Sequence, residues 1–222
     1  MAEKPERPEN GVFTTEDGTK IWYKNGKRHR DDGPAIIQPD GTRMWLQDDN
    51  FHRTDGPAID YANGTKRWYQ KGKLHREDGP AIEWNTGGNE WYFNDKRHRE
   101  GGPAVENVMG DNKWFRHGRL HRADGPAVIL KSGTKEWHVN GERHREDGPA
   151  TIYAGGSREY WVHSRHKTEE EFMKTYGAEI ERKKQEAAKA AADEKLKAER
   201  EQTESAEAIR ERLRKNGGRF KL

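Results

Sequence analysis

The sequence predicts a mainly β protein: an elongated antiparallel β-meander of about six and a half 23-residue hairpin repeats, followed by a long C-terminal α-helix. Three observations predict it. The dipeptide His-Arg recurs every 23 residues, Trp keeps the same period, and from Thr168 onward turn residues give way to Glu, Lys and Ala. Strict self-similarity at such a period is the mark of a repeat array, in which each unit buries its apolar face against its neighbours.

Composition fits a thin array better than one thick core. Apolar residues make up 30 % of the 222-residue chain and charged residues 36 %. Eight Trp then have to supply much of the core, with Tyr, Ile and Val. The absence of Cys excludes a disulfide framework and thiolate metal sites, and it fits a reducing, cytoplasmic setting. No stretch has the length and apolarity of a transmembrane helix. Residues 1–10 are polar and Pro-rich, and read as a disordered tail rather than a signal peptide. With 42 basic against 39 acidic residues, net charge points to no particular partner.

The repeat domain spans residues 11–167. Its His-Arg pairs are His29-Arg30, His52-Arg53, His75-Arg76, His98-Arg99, His121-Arg122 and His144-Arg145. Each is followed by Gly-Pro-Ala, with the prolines at 34, 57, 80, 103, 126 and 149. The Trp series is Trp22, Trp45, Trp68, Trp91, Trp114 and Trp137. Trp161 comes one residue late, which implies a one-residue insertion near Gly155-Gly156.

Two turn signals punctuate each unit. One is Asp40-Gly41-Thr42 and its equivalents; the other is Asn25-Gly26, echoed by Lys71-Gly72, His117-Gly118 and Asn140-Gly141. Such pairs favour positive φ and tight hairpins. The Trp-, Tyr-, Ile- and Val-rich runs between them read as strands, about one hairpin per unit. Proline donates no ladder bond, so Gly-Pro-Ala marks a strand start, an edge or a bulge. Asp49 and Asp95 replace the usual turn Gly, and Asp tolerates left-handed φ better than most residues. Gly101 replaces the Asp found at 32, 55, 78, 124 and 147.

The segment Trp22 to Arg43, W-Y-K-N-G-K-R-H-R-D-D-G-P-A-I-I-Q-P-D-G-T-R, resembles a MORN repeat. It shares the period, the W-x-N-G-K-x-H core and the closing D-G, but has Arg after the His where MORN units carry Gly. Its H-R-x-D-G-P-A form is also similar to repeat proteins of phages and large viruses. The resemblance covers roughly residues 11–167. It implies a single-layer β-meander used as a scaffold, a dimerisation surface or an adaptor, with lipid headgroups among the ligands proposed for the family.

Residues 168–222 form the third region, a charged helix with a basic tail. Thr168-Glu169-Glu170-Glu171 is a capping box, and Asn216-Gly217-Gly218 is the stop signal. Phe172, Tyr176 and Ile180 share one face and are candidates to dock the helix start. Beyond them the apolar positions are too sparse for a strong coiled coil, and Glu179 with Lys183 supports a solvated helix. Self-association through this helix is a second reading, and the basic stretch Arg210–Lys221 could meet an anionic surface.

No catalytic machinery stands out. Catalytic sites are normally unique, whereas these histidines recur. The unrepeated Trp84, His163 and His166 read as an extra sheet residue and a degraded seventh unit. Equivalent histidines two strands apart stand roughly 9–10 Å from each other, too far to share one zinc with nitrogens at about 2.0–2.1 Å. Neither a metal nor a cofactor is expected. The His-Arg ladder has two readings. As a brace, Arg30 reaches Asp32 and stacks on a Trp face. As a binding surface, a row of cations beside aromatics could track phosphates and stack on bases. Interleaved carboxylates such as Asp31-Asp32 and Glu77-Asp78 neutralise much of that row. The favoured function is non-enzymatic: a repetitive β-surface presented to a protein partner, with nucleic acid as the alternative and an anionic membrane third. Similarity to viral repeat proteins implies a viral protein that engages a host factor.

Overall fold

A computed structural model describes residues 7–216, and within it the side chains of residues 212, 213, 215 and 216 lie outside the description. Most of the expected N-terminal tail, the glycines of the helix stop signal and the last five residues of the basic stretch therefore lie outside the described residues. The chain falls into two compact units: the repeats, through Lys167, and the helical segment from Thr168, to which Glu146–Gly148 also belongs. Among the described residues no helix is long and apolar enough to cross a membrane.

The repeats build one 16-stranded antiparallel sheet whose strands pair in sequence order. Each unit contributes two short strands, such as Ile36–Ile37 with Arg43–Met44 and Ile59–Asp60 with Lys66–Arg67. The turn between them is a three-residue loop in which Gly supplies the left-handed residue, with Gly41 at φ 92° and Gly64 at φ 88°. Asp40 caps it by accepting the Thr42 backbone N–H at 2.8 Å.

Each unit also holds a second hairpin, where the sequence reading allots one. Leu46–Gln47 pairs with Asn50–Phe51, and the arrangement repeats at Tyr69, Tyr92, Phe115 and His138. Both residues of each turn have positive φ, from Asn25 (52°) and Gly26 (69°) to His163 (47°) and Ser164 (58°). This is the backbone that twisted two-residue hairpins require. Asp49 (66°) and Asp95 (65°) adopt it in place of glycine.

Trp45 is the corner residue between the two hairpins of its unit. Its N–H donates to the Ala58 carbonyl of the next unit at 2.8 Å, and its carbonyl accepts from His52 at 3.0 Å. The hydrophobic core lies between the long sheet and the short hairpins: Ala35 and Ile36 pack with Leu46, flanked by Ile21, Met44 and Phe51. All six Pro-Ala alanines, from Ala35 to Ala150, are fully buried, so no larger side chain fits the motif. The tryptophans, expected as the main core residues, are only half-buried. Ala, Ile and Leu fill the interior because two-residue strands leave it little depth.

The seventh unit corrects the sequence reading. Thr151↔Glu159 and Ile152↔Arg158 repeat the register of Val128↔Glu136 and Ile129↔Lys135, so nothing is inserted at Gly155-Gly156. Tyr160 takes the ladder position of Trp137. Trp161 takes that of His138, since its carbonyl accepts the Arg145 N–H as that of His138 accepts Arg122. His163 forms the last hairpin turn with Ser164, and His166 lies in its second strand. Trp84, read as an extra sheet residue, follows the strand Ile82–Glu83 and donates from Nε1 to Glu90 at 3.1 Å.

The helix, α1, runs Glu169–Asn216. Its capping box forms as expected: Thr168 N–H donates to Glu171 Oε2 at 3.0 Å, and Glu171 N–H to Thr168 Oγ1 at 3.2 Å. Phe172 and Ile180 are buried, Tyr176 is half-buried, and the Phe172 and Tyr176 rings lie 5.0 Å apart. From Glu181 on, every described side chain is exposed, and Glu179 pairs with Lys183 at 3.6 Å.

Candidate functional site

The ladder residues gather on the segment that links each short hairpin to the next strand of the long sheet. Each Arg sits over the Trp ring of its own unit, with Cζ between 3.7 Å (Arg99 on Trp91) and 4.3 Å (Arg30 on Trp22) from the ring centroid. Arg53, Arg76, Arg122 and Arg145 do the same on Trp45, Trp68, Trp114 and Trp137. Nη1 donates to the carbonyl of the following Pro, at 3.2 Å for Arg76 on Pro80 and 3.0 Å for Arg99 on Pro103. Nε donates to the Asp two residues on, at 2.8 Å for Asp32, Asp55 and Asp78 and 2.9 Å for Asp124. These bonds hold the four carboxyls below the usual carboxylate range. At Gly101 the carboxylate is missing; Arg99 Nη1 bonds Glu106 at 2.5 Å, as Arg76 Nη1 bonds Glu83 at 2.9 Å beside its bond to Asp78.

The Gly of Gly-Pro-Ala has a steric reason. A Cβ at Gly79 would sit 2.9 Å from Arg76 Cζ, and Gly56 and Gly102 show the same approach to Arg53 and Arg99. The guanidinium thus lies between an indole face and a backbone on which a Cβ would force it to move.

The histidines do a different job. Nδ1 of His29, His52, His75, His98, His121 and His144 accepts the backbone N–H of the first turn residue of the next unit's hairpin, at 3.1–3.3 Å. The donors stand 19 residues ahead, so the bond ties unit to unit. A ring that accepts at Nδ1 carries its proton on Nε2. His29 Nε2 meets Asp31 at 2.8 Å, and Lys24 and then His29 hold that carboxyl down to about 2.

Burial, and then the charge on His117, hold the His98 pKa below its ordinary 6.5; Arg116 adds to this and Glu100 opposes it. The unfolded chain then takes up the proton first as pH falls. The stabilisation is complete above about pH 6.5, the unfolded value, and is lost as pH falls through the folded one. Urea melts at pH 8, 7, 6 and 5 should show unchanged stability down to pH 7 and a decline below it. His98→Asn keeps an acceptor at that place without titrating there, and should reduce the decline. An identical decline in the variant would remove His98 as its source.

Successive His-Arg turns enclose open clefts. Three are consecutive, of about 470, 570 and 410 Å³, between the turns of Arg30 and Arg53, Arg53 and Arg76, and Arg76 and Arg99. Trp45, Trp68 and Trp91 respectively form part of their linings. Sequence reasoning misses these clefts, because their walls come from residues 23 apart. Comparison with protein-family models and with curated proteins finds no match.

Proposed function

We propose that the chain is a non-enzymatic scaffold that presents its repetitive β-surface to a protein partner. The observation that carries this reading is the engagement of the ladder arginines by indole faces and Pro carbonyls. Guanidiniums held this way have little left to offer phosphates, which weighs against the nucleic-acid reading. Each ladder residue also has a structural task, as a repeating framework requires. The resemblance to MORN repeats and to viral repeat proteins extends the proposal to a cytoplasmic viral protein that engages a host factor.

The test is affinity capture from the native cell with and without nuclease, beside direct titration with DNA and RNA. The expected result is protein capture that survives nuclease and only weak nucleic-acid binding. Nanomolar nucleic-acid affinity that falls steeply with salt, with capture lost to nuclease, would overturn the reading.

A further inference from the structure

The three clefts share one chemistry. The first is walled by Asp31, Asp32 and Asp55 against Arg30 and Arg53. The second sets Asp55, Glu77 and Asp78 against Arg53 and Arg76, and the third sets Glu77, Asp78 and Glu100 against Arg76 and Arg99. Each therefore carries one more carboxylate than guanidinium, and the guanidiniums lie on indole rings. The carboxylates stand outward: the side chains of Asp32, Asp55 and Asp78 are 82 %, 79 % and 83 % exposed. The second and third clefts thus pair an aromatic surface with a net negative rim, while in the first Lys24 bonds Asp31 at 2.8 Å and offsets the extra carboxylate.

The repeat distance selects the ligand's shape. Each unit adds two strands to the long sheet, so equivalent clefts stand roughly 9.6 Å apart at strand spacings of about 4.8 Å. A polyproline-type helix has three residues per turn and rises about 3.1 Å per residue, so every third side chain returns to one face after roughly 9.3 Å. A β-strand returns to one face after about 6.8 Å, and an α-helix after about 5.4 Å per turn. Aromatic-lined grooves are also the usual receptors for proline-rich segments.

We infer that the clefts hold an extended basic segment of the partner in polyproline-type conformation, with Lys or Arg at every third residue set between the acidic turns. This rests on the scaffold reading and names the chemistry of its partner. Charge complementarity fixes the sign of the ligand, and the repeat distance fixes its period.

The test uses the full chain and three synthetic twelve-residue peptides in fluorescence anisotropy: four Lys-Pro-Pro triplets, the same composition with its four lysines contiguous, and four Glu-Pro-Pro triplets. The triplet peptide should bind at least tenfold more tightly than the contiguous one, and the glutamate peptide should not bind. In the Asp32→Asn/Asp55→Asn/Asp78→Asn variant each Asn oxygen can still accept the Arg Nε bond, and affinity for the triplet peptide should fall at least tenfold. Equal affinity for the two lysine peptides, no binding of either, or unchanged affinity in the folded variant would overturn the inference. If the variant fails to fold, the comparison of spacings on the parent chain decides alone. A negative result with nuclease-resistant protein capture intact removes the clefts as the docking site; loss of that capture removes the scaffold reading itself.

Discussion

Excision of residues 43–65 should leave a folded, shorter array, whereas excision of residues 44–65 should destroy cooperative folding around the junction. The 23-residue deletion joins Thr42 to Lys66, and the repeated bonds across the junction find equivalent partners; only the exposed Arg28–Asp49 pair is lost, because Gly72 takes the place of Asp49. The Arg30 N–H, which donates to the Leu46 carbonyl, meets that of Tyr69. His29 Nδ1, which accepts from Asp48, meets Lys71 N–H, the present donor to His52. Thr42 Oγ1, which accepts from Ala62 N–H, meets Asn85 N–H, the present donor to Thr65. The 22-residue deletion leaves one residue too many in a two-residue strand. Side chains alternate between sheet faces, so a one-residue slip turns the apolar set outward. The measurements are thermal melts by far-UV circular dichroism and limited proteolysis. The shorter array should melt in one transition a few degrees below the parent, and the out-of-register chain should be cut at the junction. Equal melting of both chains would show that register does not hold the units together.

The parts of the fold legible in the sequence are those whose signal lies within a few residues. Asn25-Gly26 announces its turn, Thr168 and Glu171 announce the helix start, and Arg30 stands close enough in sequence to Asp32 to suggest their bond. What escapes is set by contacts about one unit away. The second hairpin consists of two-residue strands such as Leu46–Gln47, too short to show alternation. Only the pairing of neighbouring units shows that histidine Nδ1 accepts a backbone N–H 19 residues ahead. Trp161 misleads because matching by residue type ranks a Trp above a Tyr. Strand register ranks Tyr160 first, since the space at that corner accepts either ring. The clefts escape for the same reason as the second hairpin, being made by the approach of turns a full period apart.

Replacing all six ladder arginines with Ala should unfold the repeat domain, and Arg76→Ala alone should be clearly destabilising. Removal of Arg76 uncovers one face of Trp68, deletes a cation–π contact at 4.1 Å and leaves the Pro80 carbonyl without its 3.2 Å donor. A partly desolvated cation–π contact is worth about 0.5–2 kcal/mol, and a carbonyl deprived of its donor costs about 1–3 kcal/mol more where water cannot replace it. The exposed bond to Asp78 adds little. A loss of about 2 kcal/mol per site, six times over, matches the 5–15 kcal/mol that holds a typical domain together. Arg76→Lys should recover little of it, because an ammonium lacks the planar fork that bonds Pro80 and Asp78 at once while lying on the ring. Denaturant melts followed by tryptophan fluorescence give the single-site cost, and circular dichroism gives the fate of the sixfold variant. A sixfold variant that stays folded would show the ladder to be dispensable for structure, and its arginines would then have to be explained by what they bind.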